Sequence, residues 1–251
     1  MKEFIAEQDR ALLAEHGLDN FAALWALKLD AVDEPNIGRG GWSSVYRLEL
    51  GNRAFYLKRQ SNHLTKSFAH PFGEPTFARE FRNIDRYERL GIPALKAAFF
   101  ASRRVMGEQQ AILLSHALDG WEDLHHYLAK WSELSHAHKT ALIKATARLA
   151  ATLHQKKQMH GCFYPKHVFL TPDPQGYQAC LIDLEKTRPV IFKARDTLKD
   201  LETLVRRANV WSSDERLLFL AQYLERSAES SEVRALEQQL MKRLKAKKER
   251  S

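Results

Sequence analysis

The feature that most limits what this chain can fold into is a change in the spacing of its apolar residues. In the first half, short apolar runs are separated by turn residues. "NIGRGGWSSVYRLEL" passes from glycines into a run containing Val45, Arg47 and Leu48, and Gly51-Asn52 then turns the chain into "RAFYLKRQ", so a hairpin is expected. "ALKAAFF" and "QAILLSHAL" supply two more strands. One segment breaks the pattern: "PTFAREFRNIDRYERLG" sets Phe77, Phe81, Ile84 and Tyr87 at helical spacing and stops at Gly91, with Pro93 just beyond. In the second half the helical period dominates. "AHKTALIKATARLAATLHQ" puts Leu142, Thr146, Leu149 and Leu153 on one stripe. Side chains alternate faces along a strand and recur every 3.6 residues along a helix, so the two patterns specify different elements. The expectation is a small sheet with one main helix, followed by a larger helical region.

Lesser elements complete the reading. Two short helices are expected at about residues 3–15 and 20–28, and a polar loop at about 61–75. "HVFL" and "YQACLIDL" read as two strands joined by the turn-rich "TPDPQG", with helices resuming from about residue 196. With 251 residues, 44% of them hydrophobic, the chain has ample material for a core. No stretch approaches the roughly 18 consecutive apolar residues of a membrane span, and the N-terminus lacks a signal-peptide apolar run, so a cytoplasmic protein is expected. The two cysteines, Cys162 and Cys180, have neither paired nor metal-binding spacing. A net charge of +8 points to anionic partners. Part of that charge closes the chain in "MKRLKAKKERS", after Val233, Leu236 and Leu240 at helical spacing. This basic helix end reads as a solvated terminus or as a peripheral contact with the anionic inner face of the cytoplasmic membrane. Nucleic acid is not expected as a partner, because no RNP-type sequence, zinc knuckle or GXXG loop accompanies the charge.

Several residues carry chemistry. In "GRGGWSSVY", Gly38 and Gly40 match the first two glycines of a GxGxxGxV loop, Gly41 follows, Ser43 stands at the third glycine and Val45 keeps the valine offset. A backbone without side chains can approach phosphate oxygens closely. Lys58 stands alone in the apolar strand "FYLKR", and a buried ammonium needs a partner. Glu80, within the helix that follows, is the candidate, as in the kinase pair that positions α and β phosphates. The backbone near Ser115 and Ala117 would then meet an adenine edge. "HGCFYPKHVFL" has the outline of the kinase loop HxDxxxxN: His160 matches, Cys162 replaces the aspartate, and His167 replaces the asparagine. Lys166 lies where a cation would neutralise a transferring phosphoryl group. Asp183 ends an apolar strand in "LIDLEK", where a magnesium-binding carboxylate is needed, with His167 as a second metal ligand.

The order of these elements favours an α+β, bilobal protein-kinase-like fold: a small antiparallel β-sheet N-lobe with one main helix over residues 1–115, and a larger helical C-lobe over 116–251. In "FYPKH", "LIDLEKTR", "REFRNIDRYERLGIP" and "LKDLETL" the chain resembles the lipopolysaccharide kinase family, especially its InaA-like branch, from about Gly38 to Leu204. The resemblance implies ATP with magnesium as cofactors and phosphorylation of a sugar hydroxyl of the lipopolysaccharide inner core at the cytoplasmic membrane face. It also implies that Lys58 and Glu80 position the nucleotide, that Asp183 holds the metal, and that Asp200 is structural. Cys162 is the departure. A thiol with a reference pKa of about 8.5 is mostly protonated near neutrality and is a poor base, which leaves His160 or His167 to take the proton. The alternative is a catalytically impaired pseudokinase that binds nucleotide or scaffolds envelope or stress regulation.

Overall fold

The computed structural model describes residues 3–38, 40–66 and 70–249. Arg39 of the glycine-rich turn, and Arg250 and Ser251 of the basic end, lie outside the described residues. The chain divides into two compact units, Met1–Arg89 with Leu95–Asp119, and Leu90–Ala94 with Gly120–Ser251.

The first unit runs β1 (Phe4–Ile5), α1 (Glu7–Glu15), α2 (Phe21–Ala26), β2 (Asn36–Gly38), β3 (Gly41–Leu50), β4 (Arg53–Ser61), β5 (Leu64–Thr65), β6 (Glu74–Pro75), α3 (Thr76–Leu90), β7 (Ala97–Val105) and β8 (Glu108–His116). Six strands form one sheet in the order β1-β7-β8-β4-β3-β2, and every pairing in it is antiparallel. Residues 4 and 5 pair with Phe100 and Phe99, so the expected first helix begins only at Glu7. The correction has a physical reason: Phe4 and Ile5 complete the sheet edge, and tertiary pairing overrides a weak local helix preference. The expected hairpin closes at Gly51, whose φ of 59° suits a two-residue turn between Leu50 and Arg53.

Alternation sorts the sheet's two faces. Leu48, Leu50, Phe55, Leu57, Ile112 and Leu114 pack with Leu13, Leu18, Phe21 and Leu24 of the leading segment in one buried cluster. The intervening positions face the other way, toward α3, where Phe81 stacks on Phe100 at 4.4 Å between ring centroids.

The second unit contains β9 (Glu122–Asp123), α4 (Leu124–Ala129), α5 (His136–Gln155), β10 (Gln158–Met159), β11 (Val168–Asp173), β12 (Gly176–Leu181), β13 (Arg188–Pro189), α6 (Lys193–Arg207), α7 (Ser213–Leu224) and α8 (Ser231–Lys248). A 3-10 turn, Pro165–His167, precedes β11, and another, Leu184–Lys186, follows β12. Helix α5 carries the expected buried stripe of Leu142, Thr146, Leu149 and Leu153. The pairs β5–β6 and β10–β13 are two residues long, too short to leave a period in the sequence. Among the described residues, no helix is long and apolar enough to cross a membrane.

Candidate functional site

In the first unit, register gathers four of the expected nucleotide residues on one sheet face. Val45 pairs with Lys58, Lys58 with Leu113, Ser43 with Gln60, and Tyr56 with Ser115, so Ser43, Val45, Lys58 and Ser115 share a side. Over that side Lys58 Nζ donates to Glu80 Oε1 at 2.7 Å, with 19% and 4% of the two side chains exposed. Glu80 is therefore an inward-facing carboxylate, three residues from Phe77, whose ring lies 5.9 Å from the Lys58 ammonium. The sequence reading missed the residue that sets this meeting, Gln60. Its buried amide oxygen accepts from Thr76 Oγ1 (2.7 Å) and from the Phe77 N–H (2.9 Å), so β4 itself caps the first turn of the helix that carries Glu80. Nothing short of the fold signals it, because a glutamine two residues after the lysine looks like any polar strand residue.

The glycine run lies between β2 and β3, with Gly38 opposite Gly41. Its glycines differ in purpose. A Cβ on Gly41 would sit 2.0 Å from the Ser61 carbonyl oxygen, so Gly41 is fixed by the close approach of the next turn. At Gly38, among the described residues, a Cβ would meet Asn36 Oδ1 at 3.9 Å, an ordinary contact. Ser115 is paired in the sheet interior, and the Ala117 N–H donates to the Ala54 carbonyl at 2.9 Å, so that amide is already committed to the fold.

In the second unit the β11–β12 hairpin assembles the loop residues. Val168 pairs with Leu181, and the Ile182 N–H donates to the His167 carbonyl at 3.1 Å, which draws His167 against Asp183. His160 is fully buried and both its ring nitrogens are engaged. Nε2 donates to the Ile182 carbonyl (2.9 Å) while Nδ1 accepts from the Cys162 N–H (3.3 Å). This fixes a neutral tautomer, and burial holds the ring below the usual histidine range. The loop is anchored from beneath by Asp200 of α6, which accepts from the N–H groups of His160 (2.6 Å) and Gly161 (2.9 Å) and meets His154 Nε2 at 3.4 Å. Gly161, another residue missed in the sequence, has φ 77°, and a Cβ there would fall 2.7 Å from the Lys186 carbonyl oxygen.

Cys162 is 6% exposed; its carbonyl accepts from the Tyr164 N–H (2.7 Å) and His167 Nδ1 (2.9 Å). With Nδ1 donating, a neutral His167 turns the lone pair of Nε2 toward Asp183 Oδ2, 3.3 Å away. Burial lowers the His167 pKa, against the opposing pull of Asp183. When the ring is protonated, the same Nε2 instead donates to the Asp183 carboxylate as an ion pair. Asp183 is in the left-handed conformation at φ 56° and is 46% exposed, and Lys166 is exposed on the turn before His167. Among the described residues no group of three or more His, Cys, Asp or Glu is arranged to hold a metal. One carboxylate and one imidazole do not make a closed protein cage, and imidazole is a poorer ligand than oxygen for a hard cation such as magnesium.

Comparison with known proteins agrees with this reading of the fold. The sequence model of the lipopolysaccharide kinase (Kdo/WaaP) family matches residues 22–243. Protein InaA of Escherichia coli (strain K12) is 33% identical over 172 residues, which cover 68% of this chain and 79% of that protein. A solved structure described as WaaP in complex with acyl carrier protein matches with a TM-score of 0.73 over 100% of this chain and 99% of that one, at 22% identity. At that identity the likeness shows the fold alone: this chain shares the fold of its neighbour, with an antiparallel sheet and the helices α1, α2 and α3 in the first unit and mainly helices in the second. The chain belongs to the lipopolysaccharide kinase (Kdo/WaaP) family.

Proposed function

We infer that the protein is an ATP-dependent phosphotransferase acting on a sugar hydroxyl of the lipopolysaccharide inner core or a related glycan. The observation that carries this reading is the Lys58–Glu80 pair, an ammonium held at 2.7 Å by an inward carboxylate in a chain of this family. In that role Glu80 orients Lys58 toward the α and β phosphates, and the Gly38–Gly41 hairpin with Ser43 and Val45 covers them. Asp183 is the metal carboxylate, His167 Nε2 is the second protein ligand, and Lys166 neutralises the transferring group. ATP with magnesium supplies the phosphoryl group. His160 serves to hold the loop, since both of its nitrogens are committed.

Cys162 stands where the fold's usual base would stand, with no carboxylate in its place. Phosphoryl transfer depends chiefly on positioning and charge neutralisation, so its absence slows the reaction by about 100- to 10,000-fold without removing the means for it. The same observation favours the second reading, a pseudokinase that binds nucleotide and acts through contacts in envelope or stress regulation. Phosphate transfer from ATP to deacylated core lipopolysaccharide distinguishes the two, with wild type, Cys162→Asp and Asp183→Ala compared. The enzyme reading expects slow turnover by wild type, faster turnover by Cys162→Asp and none by Asp183→Ala. Silence from wild type with activity in Cys162→Asp makes the natural chain a pseudokinase. Thermal stabilisation by magnesium-ATP that persists in Asp183→Ala overturns the metal assignment.

A further inference from the structure

Ile191 and Phe192, adjacent in the chain, stand 69% and 58% exposed on the segment leading into α6. A single exposed apolar residue is ordinary, but two neighbours held outward by a built turn mark a contact surface. The turn is tied on both sides. Asp196, itself buried, accepts the N–H groups of Ile191 (3.0 Å) and Phe192 (3.2 Å) and pairs with Arg188 (2.9 Å) and Arg195 (3.2 Å). Upstream, the Val190 N–H donates to the Lys157 carbonyl at 2.8 Å, and Arg188–Pro189 pairs with Gln158–Met159.

The surroundings choose the partner. From residue 186 to 199 the chain carries the cations Lys186, Arg188, Lys193, Arg195 and Lys199, and its one carboxylate there, Asp196, is buried and already paired. Exposed Lys156 and Lys157 lie on the strand end beside them. An apolar tip inside a basic collar matches the interface of an anionic bilayer, where rings and branched chains enter the acyl boundary while ammonium and guanidinium groups stay among the phosphates. We propose that the turn at residues 190–195 is a membrane-inserting tip that seats the second unit on an anionic lipid surface. This contact is separate from any made by the basic end of α8, and it does not rest on the phosphotransfer reading. Because Val190 is tied to Lys157, three residues before His160, and Gly161 packs on Lys186, a docked tip also fixes how the His160 loop stands to the lipid.

The test is vesicle binding by the full chain. Wild type, Ile191→Ser/Phe192→Ser and Lys242→Glu/Lys245→Glu are sedimented with vesicles of phosphatidylethanolamine and phosphatidylglycerol, and with pure phosphatidylcholine. Phe192→Cys and Met106→Cys are labelled with an environment-sensitive dye; native Cys162 and Cys180 are both buried. The expected result is binding of wild type to the phosphatidylglycerol vesicles, weakened about tenfold or more in the serine pair. It includes a blue shift of the dye at 192 with none at 106, where the side chain is a fully exposed apolar residue of the other unit. The proposal is overturned if wild type ignores these vesicles, if the serine pair binds as wild type does, or if the dye at 192 stays in water on bound protein. It is likewise overturned if the exposed pair drives self-association in place of lipid binding. The assay reads partition and not turnover, so its failure leaves the kinase reading intact.

Discussion

Single residues in this protein are set to one task by what their atoms are already bonded to. His160 and His167 are seven positions apart and share a loop, yet the first has no free nitrogen and the second keeps one aimed at Asp183. That difference decides which of them is available to a metal. The committed histidine also carries a pH signature. Burial lowers the His160 pKa in the folded chain, so the unfolded chain binds the proton more readily. Its contribution to stability is therefore fully present above the unfolded value of about 6.5 and is lost as the pH falls below it. His167, lowered by burial as well, acts in the same direction. The thermal midpoint is expected to be lower at pH 5.5 than at pH 7.5, and the difference to shrink in His160→Gln. Equal losses in the two proteins would show that His160 is not the group responsible.

At the level of elements, the Lys58–Glu80 pair is a consequence of how β4 and α3 are joined. Gln60, two residues beyond Lys58 and on the same face, caps α3 through the Phe77 N–H and Thr76 Oγ1 and donates its amide to the His63 carbonyl at 2.6 Å. Replacing Gln60 by alanine removes the cap and leaves buried partners unmatched, with an expected cost of roughly 2–3 kcal/mol in urea denaturation. The loss should be accompanied by weaker nucleotide binding, since Glu80 rides on the same helix. A change below about 0.5 kcal/mol, within the range of ordinary surface substitutions, would mean that α3 is held by its apolar stripe alone. The stripe itself was legible: Phe77, Phe81, Ile84 and Tyr87 predicted the helix, and Glu80 follows from it. Gln60 was not, because a cap supplied from a different element leaves no local pattern.

For the whole molecule, the family match and the physical domain have different limits. The match begins at residue 22, but Leu13, Leu18 and Phe21 lie in the buried cluster against the sheet. Three such side chains contribute about 5–9 kcal/mol by burial, comparable to the whole stability of an ordinary domain, about 5–15 kcal/mol. Removing residues 1–21 should therefore yield aggregated or unfolded protein, even though the family-matched residues are all kept. Circular dichroism and size-exclusion chromatography check this, and a folded, monomeric truncation would show that the leading helices only decorate the sheet. Asp9, fully buried between Arg53 (2.7 Å) and His116 Nε2 (2.9 Å), ties the same segment to β4 and β8.

By itself, the sequence determined the elements that carry their own period or punctuation: the β3–β4 hairpin, α3, the α5 stripe, and the order of glycine hairpin, strand lysine, helix glutamate and strand-end aspartate. Those features depend on neighbours a few positions apart, where alternation and helical spacing act. Tertiary structure alone decided the rest. Phe4 and Ile5 became a sheet edge, Gly41 and Gly161 became obligatory through distant carbonyls, and one histidine was committed while another was left open. A hydrogen bond or a steric limit between residues tens of positions apart leaves no local spacing to read, so it exists only once the chain has brought those atoms together.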